Sequence, residues 1–173
     1  MHREAILKYY EMNDANTPIN DLKIFIRNKP DSIIHLNESR FKELVRDVFK
    51  NYYDCEIEHV GGPNEKGSDL FLINSNNPKL LQIKRYSSLG LIEDIKPVKE
   101  LVGSLILNKI NNGILVTSAE TFSNSAIEIT KSGALEEHKI ELTLMDRDNF
   151  LKMLKIKTVN LEDYWNKIGH LSF

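Results

Sequence analysis

A carboxylate heads one short apolar run, Asp69-Leu70-Phe71-Leu72-Ile73, and an amide and an amine stand two residues apart in the next, Leu80-Leu81-Gln82-Ile83-Lys84-Arg85-Tyr86. If both runs are strands of a hairpin that turns on Asn76-Asn77, Asp69 lies directly opposite Lys84, at roughly 5 Å between side-chain origins. Side chains alternate along a strand, so Gln82 and Lys84 share one face while Leu81, Ile83 and Arg85 take the other. A longer loop would shift that register, and a one-residue slip reverses the facing. An acid, an amide and a lysine gathered in this way suit the hydrolysis of a phosphodiester. That reaction needs a cation to offset developing charge, an oriented water and a held phosphate. Asp69 offers the hard anionic oxygen that magnesium prefers, and the Gln82 side-chain carbonyl and the Ile83 backbone carbonyl could complete the protein ligands. Lys84 could orient the water or stabilise phosphate oxygens. With an amide where a second carboxylate could stand, the site carries one negative charge fewer and should bind metal more weakly until a phosphate adds its own charge.

The elements that must position these groups follow from hydrophobic period. Phe41, Leu44, Val45, Val48 and Phe49 recur at helical spacing and Asn37 is placed to cap them, which predicts an amphipathic helix over about 38 to 51. Short runs bounded by turn residues then predict strands at 56–60, 69–73 and 80–86. The first two are joined by the glycine-rich, polar stretch 61–68. Pro97 suits the first turn of a helix with Val98, Leu101, Val102 and Leu105 on one stripe, and Gly103 and Ser104 would let it pack closely. A buried strand at 113–118, a helix through Ala126 and Ile129 ending near Gly133, a strand at 140–145 and a helix near 149–154 complete an α/β pattern.

It is at these residues that the sequence resembles a known family. Gly67-Ser68-Asp69-Leu70 followed by Gln82-Ile83-Lys84-Arg85-Tyr86 is similar to the Mrr-like branch of the PD-(D/E)xK restriction-endonuclease superfamily, in which glutamine commonly takes the place of the second acid. The similarity extends to Phe41-Lys42-Glu43-Leu44-Val45, to Gly113-Ile114-Leu115-Val116-Thr117-Ser118 and to Phe122 and Ala126, over about residues 37 to 152. The resemblance implies an α/β fold with a restriction-endonuclease-like core, a central mixed β-sheet flanked by helices. It also implies a magnesium-dependent DNA endonuclease, manganese being able to substitute, active in restriction or defence against foreign DNA. Such a protein is often a homodimer or part of a larger defence protein. The chain divides on this reading into a helical N-terminal appendage (1–36), the nuclease domain (37–155) and a C-terminal tail packing on the core (156–173).

One departure matters: relatives often carry a glutamate directly after the helix phenylalanine, where this chain has Lys42. On a helical wheel with Phe41 at zero, Glu43 falls at about 200° and Glu38 at about 60°, on the same edge as Lys42. Glu38 is therefore the candidate helix carboxylate, and an ordinary first-turn glutamate favoured by the helix dipole is the competing reading. Arg85, Tyr86 and Lys66 are candidate DNA contacts, set against core packing for Tyr86 and edge protection for Arg85. His59 has no second histidine at metal spacing and reads as a satisfied strand residue. Lys152, Lys155 and Lys157 read as a solvated face or a contact to DNA backbone.

Bulk properties bound these readings. At 173 residues with 28% charged side chains the chain has the make-up of one globular domain rather than a disordered segment. Its net charge of -2 and pI near 6.2 provide no global field for a polyanion, which argues against a nonspecific nucleic-acid coat protein but not against local grip. Cys55 is the only cysteine, so thiolate zinc sites and disulfide frameworks are excluded. The N-terminal residues lack a signal-peptide profile and no run approaches the roughly 18 apolar residues of a membrane span, so a cytoplasmic protein without a membrane association is expected.

Overall fold

A computed structural model describes residues 11–60 and 70–155. The predicted amphipathic helix is α2, Glu38–Tyr53, opened by Asn37, whose Oδ1 accepts from the Arg40 amide at 2.9 Å. It runs past its predicted end because Tyr53 stacks on Phe49, ring centroids 6.1 Å apart, and it closes on Asp54 in the left-handed region, φ 50°. Phe41, Leu44, Val45, Val48 and Phe49 are all buried, as the period requires.

Residues 11–36 form a 3-10 turn (Glu11–Asn13), helix α1 (Ile19–Asn28) and a second 3-10 turn (Pro30–His35). The apolar residues of this segment, Met12, Leu22, Ile26, Ile33 and Leu36, join the same core as α2. Arg40, 2% exposed, fastens the two together: its guanidinium donates to the Met12 and Thr17 carbonyls at 3.2 and 2.9 Å and to Glu43 at 2.5 Å. Residues 1–10 of the expected helical appendage lie outside the described residues.

The sheet has the order β1-β2-β3-β5-β7, with β1 Ile57–His59, β2 Leu70–Ile73, β3 Lys79–Lys84, β5 Asn112–Thr117 and β7 Glu141–Met145. The first three strands are antiparallel and the last three parallel, so the sheet is mixed as expected. Helices α1, α2 and α6 (147–155) cover one face, meeting Phe71, Ile73, Leu81, Ile83, Ile114 and Val116. Helix α3 (Ile95–Asn108) and α4 (Asn124–Ile129) cover the other, meeting Leu80, Leu115 and Leu72.

Three local expectations are corrected and one element is added. The β2–β3 hairpin does not turn on Asn76-Asn77: Ile73 pairs with Lys79 and Leu70 with Gln82, around the longer connection 74–78. Pro78 has no amide to donate, so the ladder stops before it and the register moves by one residue. The expected register, which set Asp69 opposite Lys84 and Leu70 opposite Ile83, therefore does not hold, because Leu70 pairs with Gln82. Gly133 does not close a helix; α4 ends at Ile129 and Gly133 begins a separate short helix, α5, Gly133–Glu137. Close packing of α3 comes from Gly113 rather than Gly103. A Cβ at Gly113 would lie 2.8 Å from Leu105 and 2.9 Å from Leu142, whereas one at Gly103 would meet nothing within 4 Å. A second small sheet, β4 (Ile92–Glu93) with β6 (Thr121–Phe122), carries the chain into and out of the α3–β5 crossover. Runs of two residues have no period from which to be read.

Candidate active site

Strand β3 is the element that carries the candidate residues, between antiparallel β2 and parallel β5. Its alternation is set by packing: Leu81 and Ile83 are sealed under α2, so Leu80, Gln82 and Lys84 are turned to the α3 side. Gln82 and Lys84 therefore share a face, as the sequence indicates. Gln82 is 6% exposed, flanked across the sheet by Leu70 on β2 and Leu115 on β5. Its Oε1 is buried and has no hydrogen-bond partner among the described residues. A buried amide oxygen left in this condition costs on the order of 1–3 kcal/mol, which a ligand bringing a donor or a cation would recover.

Lys84 ends the strand, its ammonium 3.6 Å from Glu100 Oε2 on α3; the two side chains are 25% and 45% exposed. The Lys84 carbonyl accepts from the Ser118 amide at 3.0 Å, so at this residue the backbone polar groups point to β5. Strand alternation then turns the Ile83 carbonyl to the β2 side, past Leu70, the last described partner. Two oxygens of neighbouring residues, one from a side chain and one from the backbone, thus stand at the same end of β3.

Beyond Lys84 the chain is anchored rather than open. Arg85 donates to the Ile34 carbonyl at 3.0 Å, tying the strand to the N-terminal segment. Tyr86 is held by Ser118 Oγ through its amide at 2.6 Å, and its hydroxyl donates to Glu93 Oε1 at 2.7 Å. Burial, with the Glu93 carboxylate next, pushes the Tyr86 phenol up to about 12. Glu93 is fully buried, and its Oε2 lacks a partner.

Glu38 sits in the first turn of α2, on the helix that covers the opposite sheet face, and its Oε1 accepts from Lys42 Nζ at 2.6 Å. Glu43 is committed to Arg40. Asp69 and Lys66 lie outside the described residues. His59 meets Phe71 edge to face at 5.1 Å. Among the described residues no three His, Cys, Asp or Glu side chains gather where a metal could sit. The donor set offered by β3 is instead neutral oxygen, the Gln82 amide and the Ile83 carbonyl, the chemistry that a hard divalent cation accepts alongside an acid.

Two acids at this face, Glu93 and Glu100, escape sequence reading. Glu100 is a lone acid on the exposed edge of an amphipathic helix, and Glu93 belongs to a two-residue strand. Neither pattern distinguishes a site residue from a solvated one. No helix of the described residues is long and apolar enough to cross a membrane.

No curated protein matches the chain. A family model described as restriction endonuclease, Mrr_cat, matches residues 33–154, a span that takes in α2, all five strands of the main sheet and α6. With that match over most of its length, and with a mixed sheet that sets Gln82 and Lys84 side by side, the chain belongs to the Mrr_cat restriction-endonuclease family and carries a nuclease domain of that type.

Proposed function

We propose that the domain is a magnesium-dependent DNA endonuclease that hydrolyses phosphodiester bonds in restriction of foreign DNA. The observation that carries this reading is the buried Oε1 of Gln82, unpartnered among the described residues, on the same face as the Lys84 ammonium. In this reading the cation is held by Asp69, Gln82 Oε1 and the Ile83 carbonyl. When bound, it supplies the positive charge that offsets charge developing on the phosphate and promotes ionisation of water. The chain does the rest. The Gln82 side chain, gripped between Leu70 and Leu115, is pre-positioned rather than floppy. Lys84 donates hydrogen bonds to the scissile phosphate or to the attacking water, which approaches in line with the leaving oxygen. Glu38, bonded to Lys42 on the helix that covers the opposite sheet face, is left outside this constellation, and Lys66 contacts the DNA backbone. Arg85 and Tyr86, already bonded to Ile34 and Glu93, keep the end of β3 rigid.

The test is cleavage of plasmid DNA by the purified chain with magnesium, with manganese and with chelator, beside Asp69→Ala. Cutting that requires the metal and is lost in the variant is expected. Retention of DNA without cutting under any divalent metal would replace the hydrolytic reading with that of a binding module. A homodimer or a larger defence assembly is the setting this function suggests, and sedimentation with and without DNA measures it.

A further inference from the structure

Gln82 leaves the site short of a negative charge, and the fold brings one in from another element. Helix α3 crosses the face of β3 on which Gln82 and Lys84 lie, docked there by Val98, Leu101 and Leu105. Between the first two of these anchors it carries Glu100, whose carboxylate faces the Lys84 ammonium at 3.6 Å. We propose that Glu100 is a positioning residue of this site, holding Lys84 and supplying the negative charge that Gln82 does not. The inference rests on the metal-dependent reading above.

The argument is one of charge and reach. Gln82 and the Ile83 carbonyl offer neutral oxygens and Lys84 adds a positive charge, a poor start for attracting a divalent ion, and the affinity of an oxygen site for such an ion rises with its count of carboxylates. Glu100 cancels the Lys84 charge without filling the buried position of Gln82. A pair so exposed adds little to fold stability, so stability does not account for it. Its effect falls on the site instead. A neighbouring carboxylate restricts the long lysine side chain to the strand end and compensates its charge until a phosphate arrives.

The experiment measures manganese and magnesium binding by titration calorimetry on the full chain without DNA, in the native protein, Glu100→Gln, Glu100→Asp and Gln82→Glu combined with Glu100→Gln. Steady-state cleavage is followed in parallel. Glu100→Gln should weaken metal binding roughly five- to tenfold, the scale of one unit charge acting through a solvated path. It should also lower kcat without raising KM for DNA, because removing an acid does not repel a polyanion. Glu100→Asp should keep the metal affinity and lose part of kcat. Gln82→Glu in the Glu100→Gln background should restore the affinity at least to the native level, since the returned charge sits at a ligand position. Native metal affinity in Glu100→Gln overturns the role of Glu100 while leaving the metal-dependent reading intact, whereas no gain in affinity from Gln82→Glu overturns Gln82 as a ligand and the reading with it. Absence of metal binding by the native chain overturns both.

Discussion

Along β3, odd-numbered and even-numbered side chains enter two different environments. Leu81 and Ile83 pass into a layer closed by α1, α2 and α6 that remains apolar to the end of the strand. On the other side Leu80 lies in an equally apolar layer under α3, but the next two residues on that face are Gln82 and Lys84. The difference shows how a six-residue strand serves two purposes without compromise. The sealed face fixes where the strand lies, so the open face can present polar groups whose own packing would not hold them.

Four substitutions break or sharpen that comparison, beginning with the largest effect. Lys84→Ala should reduce DNA cleavage by about three orders of magnitude, an effect on the order of 4 kcal/mol in the barrier. It should shift stability by only about 0.5 kcal/mol, because the side chain is partly exposed. Single-turnover cleavage beside thermal melting checks both, and a large loss of stability would mean the two faces are not separable. Phe41→Ala, on the sealed side, should do the reverse. Its ring is fully buried against Phe150 at 6.1 Å, and truncation should cost about 3–5 kcal/mol in urea unfolding. Metal affinity of the folded fraction should stay unchanged.

Arg40→Ala follows, at about 2–3 kcal/mol, since it strands the Met12 and Thr17 carbonyls, while the half-exposed Glu43 is left to solvent. Hydrogen exchange should show residues 11–36 loosening before the sheet does. Equal protection throughout would mean that the apolar contacts alone hold the segment. The smallest effect belongs to Tyr86→Phe, about 1–2 kcal/mol from leaving the buried Glu93 without its donor. The phenol's folded pKa, about 12, stands above its ordinary value of 10.0. The native protein therefore keeps this contribution below pH 10 and loses it as pH rises towards 12. Melting temperatures between pH 9 and 12 should fall less steeply in Tyr86→Phe, and an identical slope would contradict the assignment.

How much of this was legible in the sequence varied with the range of the interaction. Helix α2 was readable because five apolar residues at helical spacing have one solution. The shared face of Gln82 and Lys84 was readable because strand alternation is a property of the backbone alone. The hairpin register was not, because the Asn-rich connection admits more than one turn and the choice depends on which residues of β2 and β3 find buried partners. Helix α5 was folded into α4 in the sequence reading because a glycine after a helical pattern signals an end as readily as it permits a new start. The N-terminal segment read as an appendage because nothing in its own pattern reveals that Arg40, three residues into another helix, reaches its carbonyls.

By itself the sequence determined the local elements, the pairing of an amide with a lysine on one strand face, and the resemblance that named a nuclease family. These rest on periods and spacings of a few residues, which the backbone enforces wherever the segment lies. Tertiary structure alone decided that Gln82 Oε1 is buried without a partner among the described residues, that Glu100 faces Lys84 and that residues 11–36 join the main core. Each of those requires a helix to be docked on a particular sheet face at a particular height. Only the competition among all the apolar surfaces of the chain to leave water settles that placement.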